Sequence, residues 1–295
     1  MAADGEVRFT ILNSMAGREL PEALDRHVQW GVELLDLKDG LFGRGVLDLT
    51  DEQAGRAAEL AGERGLKVYC LSTGLFHDDA ERGEAHFEAR HLARVDRAIE
   101  IARMLRPRFI RLLAAWSRRR GDYDGCAEYV EAECPWLVGL YGQAVDRIHA
   151  AGFAATVENE VGQCIFRRSA DIVWFFNRLG RREKACLTWD VQNLWQMGTF
   201  PTLEAYEQLR PLIGYLHVKG GQCDPPDGRG PLIWRSSLAD ASWPVAGITR
   251  RAVADGVSPV ICLNPSHGRP REDGAGGDFT QRDLDFIRRA VAEKP

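Results

Sequence analysis

Four segments of the 295-residue chain run from an apolar, β-rich stretch straight into a group able to bind a cation. Thr156-Val157-Glu158 ends on a carboxylate and continues into Asn159-Glu160. Thr188-Trp189-Asp190 ends on a second carboxylate, and Leu216-His217-Val218-Lys219 carries an imidazole followed two residues later by an ammonium. Leu263-Asn264-Pro265-Ser266-His267 contributes an amide. If neighbouring strands bring these ends together, Glu158, Asp190, His217 and Asn264 surround one divalent ion with two anionic oxygens, one imidazole nitrogen and one amide oxygen. That donor set suits Mn²⁺, Zn²⁺, Co²⁺ or Mg²⁺ without choosing among them. Each group alone has a plainer reading as a helix cap, loop hydrogen-bonder or surface charge. Together they abut buried strands, where charge is costly unless paired or metal-bound.

An ion so held polarises a substrate carbonyl, with Glu158 as both ligand and base. Glu160, two residues on in extended chain, points to the same face and is a second candidate base. Lys219 either orients a substrate oxygen or pairs with a neighbouring acid. Trp116 closes another β-rich run, where its indole packs on the C–H face of a sugar or into the core. His77 and His267 lie in loops that line or cover the same mouth. Arg118-Arg119-Arg120 is either an attractor for phosphate or carboxylate or a solvated loop run.

The elements that must position these residues alternate. Short β-rich runs occur at Val7 to Leu12, Gly31 to Leu37, Lys67 to Ser72, Phe109 to Ala114, Ala154 to Glu158, Ala185 to Trp189, Tyr215 to Val218 and Pro259 to Leu263. Several are apolar on both faces, as buried parallel strands are. Between them the periodicity predicts helices at Asp51 to Arg64, Gly83 to Leu105, Leu137 to Ala150, Ala170 to Leu179, Leu203 to Leu209, Val245 to Ala254 and Thr280 to Ala292. Thr50 with Gln53 reads as a capping box, and Gly65, Gly152 and Gly180 read as C-terminal stops. Eight βα units without a Gly-rich first turn predict α/β architecture, a single (β/α)8 TIM barrel over residues 1–295, with chemistry at the C-terminal strand ends. The long connection from Gly220 to Ser237 reads as a lid.

Composition narrows the function. A 45% hydrophobic chain of this length builds its core without a structural metal, so any ion is functional. A formal net charge of −5 lacks the basic field that non-specific nucleic-acid binding needs. No long apolar span and no apolar leader are present, which together with seven cysteines lacking a C-x-x-C pair predicts a cytoplasmic protein with reduced thiols and no membrane partner. The partner expected is a small molecule, and homo-oligomerisation is compatible with this composition.

Gly31-Val32-Glu33-Leu34, Val157-Glu158-Asn159, Trp189-Asp190-Val191-Gln192-Asn193 with Gly198, Leu216-His217-Val218-Lys219 and Ile261-Cys262-Leu263-Asn264, in this order, resemble the xylose isomerase-like TIM barrels across nearly the whole chain. That family includes sugar phosphate isomerases and epimerases, ketose 3-epimerases, hydroxypyruvate isomerase and endonuclease IV. The resemblance implies a divalent ion on Glu158, Asp190 and His217, with Asn193 in the substrate set. It also implies a second glutamate where this chain has Asn264. An amide cannot act as a base, so two-base epimerisation through position 264 is in doubt. The leading reading is a metal-dependent isomerase or epimerase of a small sugar or hydroxy-carbonyl compound. A lyase or dehydratase, which needs one base, is the runner-up, and a non-catalytic barrel subunit is a third. An abasic-site endonuclease is disfavoured, because Asn193 stands where that pattern expects a histidine.

Overall fold

Residues 7–270 and 279–292 are described by a computed structural model. Parallel strands β1 (Arg8–Leu12), β2 (Leu34–Leu37), β3 (Lys67–Ser72), β4 (Phe109–Leu113), β5 (Ala154–Glu158), β6 (Ala185–Asp190), β7 (Ile213–Val218) and β8 (Val260–Leu263) pair in chain order, and β8 returns to β1 to close a barrel. Most strand residues are buried on both faces, since side chains fill the interior and helices cover the outside.

The helices are α1 (Asn13–Ala16), α2 (Leu20–Gln29), α3 (Asp51–Gly62), α4 (Glu84–Arg90), α5 (Val95–Leu105) and α6 (Cys126–Glu133), then α7 (Leu137–Ala150), α8 (Ser169–Leu179), α9 (Val191–Gln196), α10 (Leu203–Leu209), α11 (Val245–Ala254) and α12 (Thr280–Ala292). Local signals account for many boundaries. Thr50 and Gln53 form the reciprocal capping box that starts α3. On α7, buried Leu137, Leu140, Tyr141, Ala144, Val145 and Ile148 make one apolar face. Gly180 ends α8 in the left-handed conformation at φ 64°. No helix among the described residues is long and apolar enough to cross a membrane.

Three expectations need correction. Gly31 to Glu33 precede β2 rather than belong to it, with Gly31 left-handed at φ 62°. Helices α1, α2, α6 and α9 were not expected from periodicity; α1 and α9 are short and begin directly at a strand end. The stretch predicted as one helix from Gly83 to Leu105 is broken into α4, a 3₁₀ turn at Leu92–Arg94, and α5. His91 makes the break: its ring turns inward, stacks on Phe76 at 5.7 Å, and its Nδ1 accepts the Phe76 N–H at 3.0 Å.

Burial holds the His91 imidazole down at about 4, against Asp78, which works to raise it. A folded-state value below the ordinary 6.5 means the unfolded chain takes up a proton that the folded chain refuses. Stability contributed by His91 is therefore complete above about pH 6.5 and is lost as the pH falls toward 4, by about 3 kcal/mol in all. His91→Gln keeps an acceptor for the Phe76 N–H and leaves Asp78, His86 and Arg90 around the site. Its denaturation midpoint should fall less steeply with acidification than the wild type's; parallel curves would contradict the assignment.

Candidate active site

The C-terminal ends of β5, β6 and β7 place Glu158, Asp190 and His217 side by side, with Asp190 opposite His217 in register. All three are at most 3% exposed, and one donor atom from each lies within 4.8 Å of the others. Glu158 Oε1 stands 3.2 Å from His217 Nδ1. Asp190 Oδ1 accepts the backbone N–H of Gln192 and Asn193, capping α9, while its buried Oδ2 is turned toward Lys219 Nζ. Both His217 nitrogens are buried between carboxylates, Glu158 beside Nδ1 and Asp36 beside Nε2. Two buried carboxylates and an imidazole converging on one point fit a divalent ion, and Glu158, Asp190 and His217 are the residues able to hold it.

Two buried cations stand among these groups. Arg111, inside β4, pairs with Glu158 at 2.7 Å, both nearly inaccessible. Lys219 Nζ lies 2.6 Å from Asp190 Oδ2 and donates a hydrogen bond to Asn193 Oδ1 at 2.9 Å. Burial works to raise the Glu158 carboxyl, yet the Arg111 guanidinium and His217 outweigh it and hold the group far below the usual carboxylate range. Burial works to lower His217, and Cys262 and Glu158 hold it well above its ordinary value. Behind His217, Asp36 on β2 lies 3.7 Å from Nε2 and accepts hydrogen bonds from Ser72 Oγ and from Tyr215 OH at 3.0 Å. A carboxylate there fixes which imidazole nitrogen faces Glu158 and Asp190.

The remaining sequence candidates lie at graded distances from this centre. Glu160, half-buried at the mouth, accepts the Val161 N–H at 3.2 Å and has Asn193 Nδ2 at 3.5 Å. Its carboxyl is raised, first by burial and then by the charge of Glu158, and His77 is close enough to oppose this. Asn193 is buried and links Lys219 to Glu160 while bonding the Asn159 carbonyl. Asn264 is buried at the end of β8 and aims its amide nitrogen at Cys262 Sγ, 3.6 Å away. His267 is exposed at the rim, its backbone N–H on Gln192 Oε1, and partial burial with the Lys219 charge lowers its imidazole. Trp116 and exposed His77 stand apart from the triad, in the wall of a cavity that also includes Ser72. The 220–237 connection, expected as a lid, is pinned to α9 by hydrogen bonds from Gln192 and Trp195 to the carbonyls of Gly220 and Gly230.

Arg111 and Asp36 were missed by sequence reasoning. Each is a lone charge inside an apolar strand, Phe-Ile-Arg-Leu-Leu and Leu-Leu-Asp-Leu, and such a charge has only the barrel interior to face. That signal was available.

A sequence model of the family described as xylose isomerase-like TIM barrel matches residues 24–279. No curated protein matches the chain. Among solved structures, a xylose isomerase-like TIM barrel protein from Mycobacterium smegmatis in complex with magnesium is 15% identical, with TM-score 0.68 and 99% of this chain covering 98% of that one. D-psicose 3-epimerase with D-tagatose from Clostridium cellulolyticum H10 is 13% identical, TM-score 0.70, covering 96% of this chain and 99% of its own. The probable 3-DHS dehydratase involved in petrobactin synthesis from Bacillus anthracis is 13% identical, TM-score 0.68, covering 98% of this chain and all of its own.

Proposed function

This chain belongs to the xylose isomerase-like TIM barrel family, and on that premise we propose that it is a divalent-metal-dependent isomerase of a small sugar or related hydroxy-carbonyl compound. The observation that carries the reading is the buried Glu158, Asp190 and His217 cluster, whose donor atoms converge within 4.8 Å of one another. Neighbours at this identity share the fold, and two of them are named as a D-psicose 3-epimerase and a probable 3-DHS dehydratase, which supports the reading as far as its reaction classes. An ion held there supplies Lewis-acid polarisation of a substrate carbonyl.

The chain's own groups divide the remaining work. Glu158 is a ligand, because Arg111 pins its second oxygen. Glu160, at the mouth and free of any cation within ion-pair distance among the described residues, takes a proton from the carbon next to the carbonyl and returns it to the adjacent carbon on the same face. One carboxylate suffices for that transfer, so Asn264 is no obstacle. Lys219, oriented by Asn193, donates to a substrate oxygen where negative charge develops. Trp116 and His77 line the approach.

A lyase is the second reading, favoured by the same Asn264: with one base, departure of a β-hydroxyl can replace return of the proton. Incubation with candidate sugars in D₂O plus Mn²⁺ separates the two. Isomerisation incorporates solvent deuterium into an isomeric product, whereas dehydration yields a conjugated carbonyl absorbing in the ultraviolet. Absence of both reactions, with the metal demonstrably bound, would exclude enzyme action on the compounds tried.

A further inference from the structure

A cavity of about 690 Å³ is lined in part by Ser72, His77 and Trp116. Ser72 donates to Asp36, the neighbour of His217, so the cavity and the candidate site share a boundary. Its volume lies in the range of sites for drug-sized ligands, about 300–1,000 Å³, and a single sugar ring would fill only part of it. The outer wall comes from α4 and its C-terminal cap, chiefly His86, Arg90 and His91.

His91 is 5% exposed, and its Nε2 is turned toward the cavity-lining Asp78. Because Nδ1 accepts the Phe76 N–H, the neutral ring must carry its hydrogen on Nε2, which makes that atom a donor. The same tautomer excludes a metal on Asp78, His86 and His91, although their atoms cluster within 4.8 Å: coordination through Nε2 would require the hydrogen to leave a ring whose other nitrogen is already accepting. Asp78 Oδ2, which His86 Nε2 also approaches at 2.8 Å, lies 3.4 Å from His91 Nε2 and sets an acceptor beside that donor. A hydroxyl group both donates and accepts, and this pair matches it; a carboxylate or phosphate would meet Asp78 as a like charge. The other cavity cations are largely committed to acids, Arg94 to Asp48 at 2.6 Å, Lys38 to Asp39 at 3.6 Å and Arg82 to Asp78 at 3.7 Å. Arg90 makes no ion pair with the described residues. The lining is thus rich in donors and acceptors and nearly balanced in charge, and it includes the Trp116 indole, whose ring has Arg118 over it at 6.0 Å.

We propose that this cavity is a second saccharide subsite, so that the substrate is a glycoside or the end of an oligosaccharide rather than a free monosaccharide. The inference rests on the sugar-directed reading above and extends it to the part of the substrate remote from the reacting carbon. Binding to the full chain is measured by ligand-observed NMR and calorimetry for pairs sharing one ring: glucose with cellobiose and maltose, galactose with lactose, mannose with mannobiose. The expected result is at least one disaccharide bound about tenfold tighter than its parent monosaccharide. Arg90→Ala, at an exposed position, and His91→Gln should each remove that preference and leave monosaccharide binding unchanged. Equal affinity within every pair, a preference untouched by both variants, or tighter binding of glucose 6-phosphate than of any disaccharide overturns the subsite. Deuterium exchange into monosaccharides without any disaccharide preference sinks the subsite alone. A variant-sensitive disaccharide preference with no exchange into any sugar leaves the subsite and sinks the reaction assigned to the triad.

Discussion

Arg111→Met will cost the metal-free protein about 3–5 kcal/mol, the usual penalty for stripping one partner from a buried ion pair, and excess Mn²⁺ will restore much of it. Arg111 and Glu158 are 4% and 3% exposed at 2.7 Å, so the variant strands a carboxylate that water cannot reach. A divalent ion on Glu158, Asp190 and His217 supplies the missing positive charge at that oxygen. Lys219→Met should behave alike through Asp190. The opposite substitutions invert the result: Glu158→Gln strands the Arg111 guanidinium, and added ion has neither a charge to neutralise nor a full ligand set to bind. Urea denaturation of the four proteins, with Asp190→Asn as the fourth, in chelator and in Mn²⁺ reads the effect directly. If Mn²⁺, Zn²⁺, Co²⁺ and Mg²⁺ all leave Arg111→Met as unstable as chelator does, the triad is not an ion site.

Glu160→Gln will lower solvent-deuterium incorporation by about 10²–10⁴-fold, the span typical of a lost general base, while ion binding and KM change little. The geometry separates it from its neighbour: Glu158 is clamped between Arg111 and His217, whereas Glu160 sits at the mouth with only backbone and amide donors in hydrogen-bond reach among the described residues. Glu158→Gln should lose ion and turnover together. A Glu160→Gln enzyme that exchanges deuterium at the wild-type rate would move the base elsewhere in the site.

Strands could be read from the sequence because their evidence is local. Lys67–Ser72 and Ala154–Glu158 match their expected bounds, as do helices Leu137–Ala150, Leu203–Leu209, Val245–Ala254 and Thr280–Ala292. Each rests on periodicity and end signals contained within its own residues. The failure at Gly83 to Leu105 is of another kind: nothing in the stretch says that His91 has a partner at Phe76, fifteen residues earlier, and that bond is what turns the helix. Likewise Asp190 could be read as a cap or as a ligand from sequence, and only the folded chain shows that one of its oxygens caps α9 while the other is turned toward Lys219.

What the amino-acid order determined by itself was the alternation that makes a barrel and the identity of the acids and imidazole at its strand ends, since both follow from the pattern of apolar and polar residues along short runs. What the tertiary structure alone decided was electrostatic. Arg111 meets Glu158 from forty-seven residues away and Lys219 meets Asp190 from twenty-nine, so whether each carboxylate is clamped, capped or open is a property of strand pairing and register. Coulomb energies depend on distance and burial, and neither is written in a linear pattern until the cylinder has closed.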